Sequence, residues 1–176
     1  MAQQSVRLRP VAEEDLELFR RFGSEPGLIG LDWGGFRNPH APARRFAEDG
    51  YLAEDNGRLM VETAEGETAG FVGWTSRTYT GPRSAFWEIG IALLPEFRGR
   101  GLGWRAQAAL CDYLFMHTPV HRIEAATHPE NAAEQRALEK AGFTFEGTVR
   151  GAEFRAGQWR DGLVYGRLRT DPAPGV

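Results

Sequence analysis

The segment that most constrains the fold runs from Trp87 to Gly103, with the sequence WEIGIALLPEFRGRGLG. It opens with an apolar run interrupted by one acid, Glu88, and ends in a basic, glycine-rich stretch. Apolar residues at helical spacing then continue to about Met116. This order predicts a buried strand, a tight turn and an amphipathic helix. Because the first amides of a helix have no partners within it, the turn is suited to binding a phosphate group.

The turn fits the pattern Arg-x-x-Gly-x-Gly and consists of Arg98, Gly99, Arg100, Gly101, Leu102 and Gly103. Glycine lets the backbone approach an anion closely, and arginine adds charge-assisted hydrogen bonds. The alternative is an ordinary glycine-rich turn into a helix. Two other phosphate motifs are excluded, since Trp104 stands where a Walker loop needs lysine and the glycine spacing does not match the dinucleotide fingerprint.

Alternating and helical patterns on both sides of this segment predict one α/β domain. The predicted strands are 6–10, 58–63, 68–76, 121–127, 144–154 and 158–168, and the predicted helices begin near residues 13, 43 and 131. Between residues 23 and 43 many glycines and prolines predict an irregular loop, although it carries Trp33 and Phe36. Such a loop is either a functional flap or a cover over the core.

Composition narrows the class of protein. The 176 residues, 41% of them hydrophobic, suffice for one globular domain, and the net charge of −3 argues against a nucleic-acid partner. No apolar run approaches the roughly 20 residues of a membrane span. A single cysteine, Cys111, excludes an internal disulfide and favours the cytoplasm. We predict no metal site.

Motifs along most of the chain carry a family resemblance. They are Glu88–Ile91, Pro95–Gly103, Pro129–Asn131 and Leu138–Phe143, followed by Glu146–Arg150, Gly157–Asp161 and Tyr165–Gly166. In this order they resemble the GNAT superfamily of N-acetyltransferases, in its RimJ/RimL-like branch. The resemblance implies an N-acetyltransferase domain over residues 1–170, and we expect residues 171–176 to fray.

This resemblance also implies a fold and a co-substrate. The fold is a mixed, mostly antiparallel sheet of about seven strands, flanked by helices and splayed between strands four and five. Acetyl-CoA would bind there, with its pantetheine arm paired to the backbone of Ile91, Ala92 and Leu93. Its pyrophosphate would lie on Arg98–Gly103. Asn131, in the next loop, would either contact acetyl-CoA or only cap a helix.

The reaction needs a group that removes a proton from an ammonium. A carboxylate with a pKa raised by burial, or one acting through water, suits this role. Glu88 is the first candidate, because it is the only acid in its apolar strand, with substrate recognition or an ion pair as the alternative roles. His128, in the loop after the fifth strand, is second, and Glu124 is expected to be structural.

One departure from the family concerns the general acid. Many members have a tyrosine seven residues after the asparagine, where this chain has Leu138, and Glu134 replaces a frequent serine. Tyr165 qualifies by residue type only, so no general acid is assigned. Cys111 lies inside the long predicted helix, which favours direct transfer in a ternary complex over an acetyl-cysteine route.

The acceptor is a primary amine: a protein N-terminus, an amine antibiotic, a polyamine or a small metabolite. Four aromatics are candidate pocket walls or core residues, namely Trp33, Phe36, Trp74 and Trp87. The resemblance makes a homodimer reasonable. Two alternative functions stay open. Because the tyrosine is missing, the chain could be a non-catalytic acyl-CoA sensor. Because of its aromatic loop, it could be a partner-binding protein that does not bind CoA.

Overall fold

The computed structural model describes residues 5–174, apart from the side chain of Asp32. Within these residues seven strands form one sheet, in the order β1-β2-β3-β4-β5-β7-β6. All neighbouring pairs are antiparallel except β4 and β5, which are parallel. The predicted mixed sheet is therefore confirmed. The strands are β1 Val6–Pro10, β2 Asn56–Thr63, β3 Thr68–Thr78, β4 Ala85–Leu93, β5 Arg122–Thr127, β6 Thr144–Arg155 and β7 Gln158–Leu168.

Helices cover both faces of the sheet. On one face, which we call the α4 face, Leu110 and Leu138 join Val72 in the main core. On the other, the α1 face, Phe19 stacks on Tyr51 and meets Phe71 of β3. The helices are α1 Leu16–Ser24, α2 Pro26–Ile29, α3 Ala41–Asp49, α4 Leu102–His117 and α5 Ala132–Lys140.

The segment from residue 23 to residue 43 is more helical than its composition predicts. It contains α2, a 3₁₀ turn at Gly30–Asp32 and the start of α3. Pro26 and Pro42 lie in the first turns of α2 and α3, where a missing N–H costs no helical hydrogen bond. The interpretation of these prolines as breakers was therefore wrong, and the irregular part is confined to residues 33–40.

Register assigns each side chain of β4 to a face. Ala92 pairs with Phe71 and Ile91 pairs with Val72. Because side chains alternate along a strand, Glu88, Gly90 and Ala92 belong to the α1 face, and Ile89 and Ile91 to the α4 face.

The parallel pair β4–β5 is short. Trp87–Ile89 pairs with Ile123–Ala125, although β4 continues to Leu93 and β5 to Thr127. The two strands therefore part above Ile89, as the resemblance implied. We call the space between residues 90–93 of β4 and residues 126–127 of β5 the β4–β5 opening.

A buried ion pair joins the start of α1 to the edge of the sheet. Asp15 accepts hydrogen bonds from Arg9 Nη1 at 2.7 Å, Arg9 Nη2 at 2.9 Å and the Ala12 amide at 2.8 Å. Burial pushes the pKa of Asp15 upward, but the Arg9 guanidinium and the Ala12 amide outweigh it and hold that pKa below its ordinary value. Ionised Asp15 therefore stabilises the fold at neutral pH.

Replacing Asp15 with Asn should lower the free energy of unfolding at pH 7 by roughly 2–4 kcal/mol, because Arg9 loses its main partner. The difference should shrink as the pH falls through the lowered pKa of Asp15, since the parent then takes up a proton itself. Urea titrations at several pH values measure this. Glu17→Gln is the control, because its pair with Arg20 is exposed and should contribute less than about 1 kcal/mol. Equal effects of the two variants would contradict the assignment.

Candidate active site

The upper half of β4 presents backbone groups to the β4–β5 opening. The Leu94 amide donates to the Ala69 carbonyl at 2.9 Å, so Leu94 and Ala69 are a hydrogen-bonded pair of the β3–β4 ladder. Hydrogen-bonded and non-hydrogen-bonded pairs alternate in an antiparallel ladder. The backbone N–H and C=O groups of Ala92 therefore point to β3, whereas those of Ile91 and Leu93 point to the opening. Of the three residues predicted to pair with pantetheine, two are therefore oriented for it.

The turn after β4 brings open amides to the top of the opening. Gly99 and Gly101 have φ of 72° and 76°, which favour glycine, and Gly101 is the N-cap residue of α4. No side chain caps this helix, so the amides of its first turn are available to a ligand. A 16-residue helix with an open N-terminus attracts an anion.

Arg98 makes contacts within the protein that the sequence did not predict. Its Nε donates to the Leu93 carbonyl at 2.9 Å, and its Nη2 donates to the Leu28 carbonyl at the end of α2. The guanidinium thus holds the end of β4 against α2. Contact with the pyrophosphate remains a prediction for Arg98, Arg100 and the turn's amides.

A cleft of about 930 Å³ adjoins the turn. Arg105 lies in it, donating from Nη1 to the Gly101 carbonyl at 2.9 Å and stacking 4.3 Å from the Trp104 ring. Arg105 and Lys140 add positive charge that the sequence reading missed, although the position of Arg105 one helical turn after Gly101 was a usable signal. The lining is Gly99–Gly101, Trp104, Arg105, Glu139, Lys140, Gly142–Thr144 and Asp171–Pro174.

The described part of the tail, 171–174, thus forms one wall of this cleft. Residues 175 and 176 lie outside the described residues. The domain boundary at residue 170 and the fraying of the tail stay predictions.

Asn131 caps α5. Its side-chain oxygen accepts a hydrogen bond from the Glu134 amide at 3.2 Å. The capping role is therefore present, and the side-chain NH₂ of Asn131 keeps two donors of its own. A contact with CoA through that group stays a prediction.

Two carboxylates share one rung just below the opening. Glu88 and Glu124 are partners in the parallel pair, so both side chains leave the sheet on the α1 face. Glu88 is 44% exposed and accepts a hydrogen bond from Arg77 Nε at 2.9 Å. The side chain of Glu88 is therefore not buried, which leaves the route through water.

Glu124 has the buried environment expected of Glu88. It is 8% exposed, and Arg122 Nε donates to it at 2.6 Å. Burial, and then the charge of Glu146, raise the pKa of Glu124 to about 7. Arg122 also donates to Glu146 at 2.9 Å. The sequence predicted a structural role for this residue. Its burial depends on partners distant in the chain, which a local sequence pattern does not show.

His128 lies directly after β5 and is buried. Its Nδ1 is 3.1 Å from a carboxylate oxygen of Glu153 on β6. The ring is thus part of the contact between the end of β5 and the last hairpin.

The structure, like the sequence, assigns no general acid among the described residues. Leu138, at the tyrosine position, is fully buried in the core. Tyr165 is 2% exposed and pairs with Ala125 on the α4 face, and burial followed by the charge of Glu139 raises its pKa. Neither side chain reaches the rung of Glu88.

The four candidate aromatics separate into two groups. Trp33 and Phe36 meet edge to face at 5.4 Å in the irregular loop, where Phe36 is 83% exposed. Trp74 is buried in the main core, and the Trp87 indole donates to the Thr118 hydroxyl at 3.1 Å beside the end of α4. Trp74 and Trp87 thus pack on the α4 face, away from the two carboxylates, and only the loop pair stays a prediction for acceptor binding.

Comparison with known proteins identifies the family. Residues 5–144 match the model of the acetyltransferase (GNAT) domain. The chain belongs to the GNAT acetyltransferase family. No helix between residues 5 and 174 has the length and apolarity to cross a membrane. The same residues contain no group of three or more acidic, histidine or cysteine side chains arranged to hold a metal.

Relatives of this GNAT protein act on amines. It is 27% identical over 161 residues to spermidine N(1)-acetyltransferase of Escherichia coli K12, covering 90% of this chain and 83% of the relative. Spermidine N-acetyltransferase from Vibrio cholerae, with CoA and spermine, superposes with TM-score 0.82 at 20% identity, over 95% and 97% of the two chains. Mycobacterium smegmatis RimJ with CoA-disulfide gives 0.72 at 25% identity, over 93% and 82%.

The protein is an acetyl-CoA-dependent N-acetyltransferase. Acetyl-CoA is its co-substrate. Similarity to RimJ agrees with the RimJ/RimL-like branch. The residues of the site fit this co-substrate, since an open helix N-terminus, a basic cleft and a free strand edge adjoin one another.

Gly101→Asp should weaken CoA binding at least tenfold, because the new carboxylate would repel the pyrophosphate at the N-terminus of α4. Isothermal titration with CoA measures the affinity. Gly66→Asp is the matched control, since Gly66 also has positive φ, at 84°, with open space around it in the β2–β3 turn. If both variants bind CoA as the parent does, the turn does not bind the anion.

Proposed function

We propose that acetyl-CoA lies along the α4 face of the β4–β5 opening. The pyrophosphate is held by the amides of Gly99–Gly103 and by Arg100, with Arg98 and Ala92 fixing the end of β4. The pantetheine arm pairs with the backbone of Ile91 and Leu93, and Asn131 donates from its side-chain NH₂. The observation that carries this placement is the short β4–β5 pairing, which leaves a strand edge free beside an open helix N-terminus.

The acceptor approaches from the α1 face. Gly90 and Ala126 are exposed there, on the two sides of the opening, with Glu88 and Glu124 on the rung below. An amine arrives as an ammonium at neutral pH, and two carboxylates at this position attract it. Entry from opposite faces lets both substrates be bound together, which supports an ordered ternary complex.

We assign proton removal to Glu88. Its side chain is 44% exposed, so it can reach an acceptor directly or through one water. Arg77 keeps it oriented on the α1 face. The thioester of acetyl-CoA supplies an electrophilic acetyl carbon, and removing the ammonium proton frees the nitrogen lone pair that attacks it. As the C–N bond forms, the C–S bond breaks and CoA leaves as a thiolate, which takes up a proton from solvent.

Glu124 is the second candidate. Its pKa of about 7 would make it a better proton acceptor near neutral pH than an ordinary carboxylate. Against this, its side chain is nearly enclosed and Arg122 occupies one oxygen. Its raised pKa gives it a signature of its own in a pH profile.

Glu88→Gln should lower kcat by about 100-fold, since general-base catalysis contributes 10²–10⁴-fold, while CoA affinity stays unchanged. Glu124→Gln should keep kcat within a few-fold of the parent. Steady-state kinetics between pH 5.5 and 9 measure both variants. If Glu124→Gln loses the activity instead and also abolishes an acid limb near pH 7, Glu124 is the base and the assignment to Glu88 fails.

The acceptor class we propose is a small cationic amine, such as a polyamine. Similarity to the E. coli spermidine enzyme over 90% of this chain supports it, and so do the paired carboxylates. CoA release should therefore be faster with spermidine than with a peptide bearing a free N-terminal alanine. The reverse order would indicate a protein N-terminus. Tight CoA binding with no release on any amine would indicate a non-catalytic sensor.

A homodimer is a further proposal. Phe154 and Trp159 meet at 5.7 Å at the tip of the β6–β7 hairpin, where they are 61% and 68% exposed. Exposed apolar pairs of this kind often lie in an interface. Sedimentation of the parent and of Trp159→Ser tests it. A cytoplasmic location is proposed from the co-substrate and from the single, buried cysteine.

A further inference from the structure

The core contains a glutamine whose amide has no partner. Gln107 of α4 is 1% exposed, and among the described residues neither its Oε1 nor its Nε2 has a hydrogen-bond partner. A buried amide without a hydrogen-bond partner destabilises the folded state, because it has lost its contacts with water. A bound ligand would supply the hydrogen-bond partner that this side chain lacks.

The position of Gln107 follows from its neighbours on the helix. Gly103, Gln107 and Cys111 are four residues apart and share one side of α4. A Cβ on Gly103 would lie 3.7 Å from Leu93 Cδ1, at the end of β4. Cys111 contacts the Arg167 guanidinium, on β7. In the sheet order β5 lies between β4 and β7, so Gln107, in the middle of this row, lies above β5 on the side of the sheet that α4 covers.

The register gives the height of Gln107 along the strands. Arg167 pairs with Ile123, and Ile123 pairs with Trp87. The row of three therefore runs from the level of Leu93 to the level of Trp87. Its midpoint is near the level of Gly90, just above the last paired rung. Gln107 thus lies above β5 at the level where the β4–β5 opening begins, on the α4 face.

We propose that the side-chain amide of Gln107 hydrogen-bonds an amide of the pantetheine arm of acetyl-CoA. Pantetheine carries two amide groups, and a glutamine matches one with a donor and an acceptor. Ile91, whose backbone faces the same opening, binds the arm from the β4 side. This inference rests on the proposed placement of acetyl-CoA.

The test compares CoA with adenosine 3′,5′-bisphosphate, which lacks pantetheine. Gln107→Leu keeps the size of the side chain and removes its polar atoms. It should weaken CoA binding about tenfold, the equivalent of one good hydrogen bond, and leave bisphosphate affinity within twofold. The melting temperature of the free protein should rise, because an unpaired buried amide is gone. Gln158→Leu, at an exposed position in β7, is the control.

Calorimetric titration and thermal melting measure these quantities, with Gln107→Met as a second variant if the first does not fold. Unchanged CoA affinity in a folded variant would overturn the inference, and so would equal weakening of both ligands, which would indicate a distorted α4. If the parent itself binds the bisphosphate and CoA equally well, the proposed placement of pantetheine fails rather than Gln107 alone.

Discussion

The short hydrogen-bonded pairing between β4 and β5 is the constraint on which the site depends. It is limited to Trp87–Ile89 and Ile123–Ala125, and above it two parallel strands leave backbone groups unpaired. The hydrogen bond from Arg98 to the Leu93 carbonyl fixes the end of β4, and α4 begins directly after the turn. Unsatisfied amides on a strand edge and on a helix N-terminus then face one space, which suits the proposed binding of an extended, phosphate-bearing molecule there.

The two faces of the sheet carry residues that suit different substrates. The α4 face carries the open helix N-terminus, the basic cleft and Gln107, all suited to the co-substrate. The α1 face carries Glu88 and Glu124, suited to an ammonium. Under the proposed placement, acetyl-CoA and the amine would meet at the opening.

Local patterns predicted most of the fold. Strand β7 was predicted with the boundaries observed, and the glycine-rich turn and the helix after it were also right. The splay between β4 and β5, which is also confirmed, was implied by the family resemblance and not by a local pattern. What local patterns missed depends on distant partners. Arg98 reaches Leu28, 70 residues away, and the raised pKa of Glu124 depends on burial and then on the charge of Glu146. Pro26 and Pro42 misled because a helix start tolerates the residue that its interior excludes.

Amide hydrogen exchange along β4, resolved by NMR, tests the central claim most directly. In the free protein the amides of Ile91 and Leu93 face the opening, whereas that of Ala92 is paired with β3. CoA should slow exchange at Ile91 and Leu93, adenosine 3′,5′-bisphosphate should not, and Ala92 should be protected throughout. Saturating CoA that leaves Ile91 and Leu93 exchanging as in the free protein would contradict the placement of the co-substrate in the β4–β5 opening.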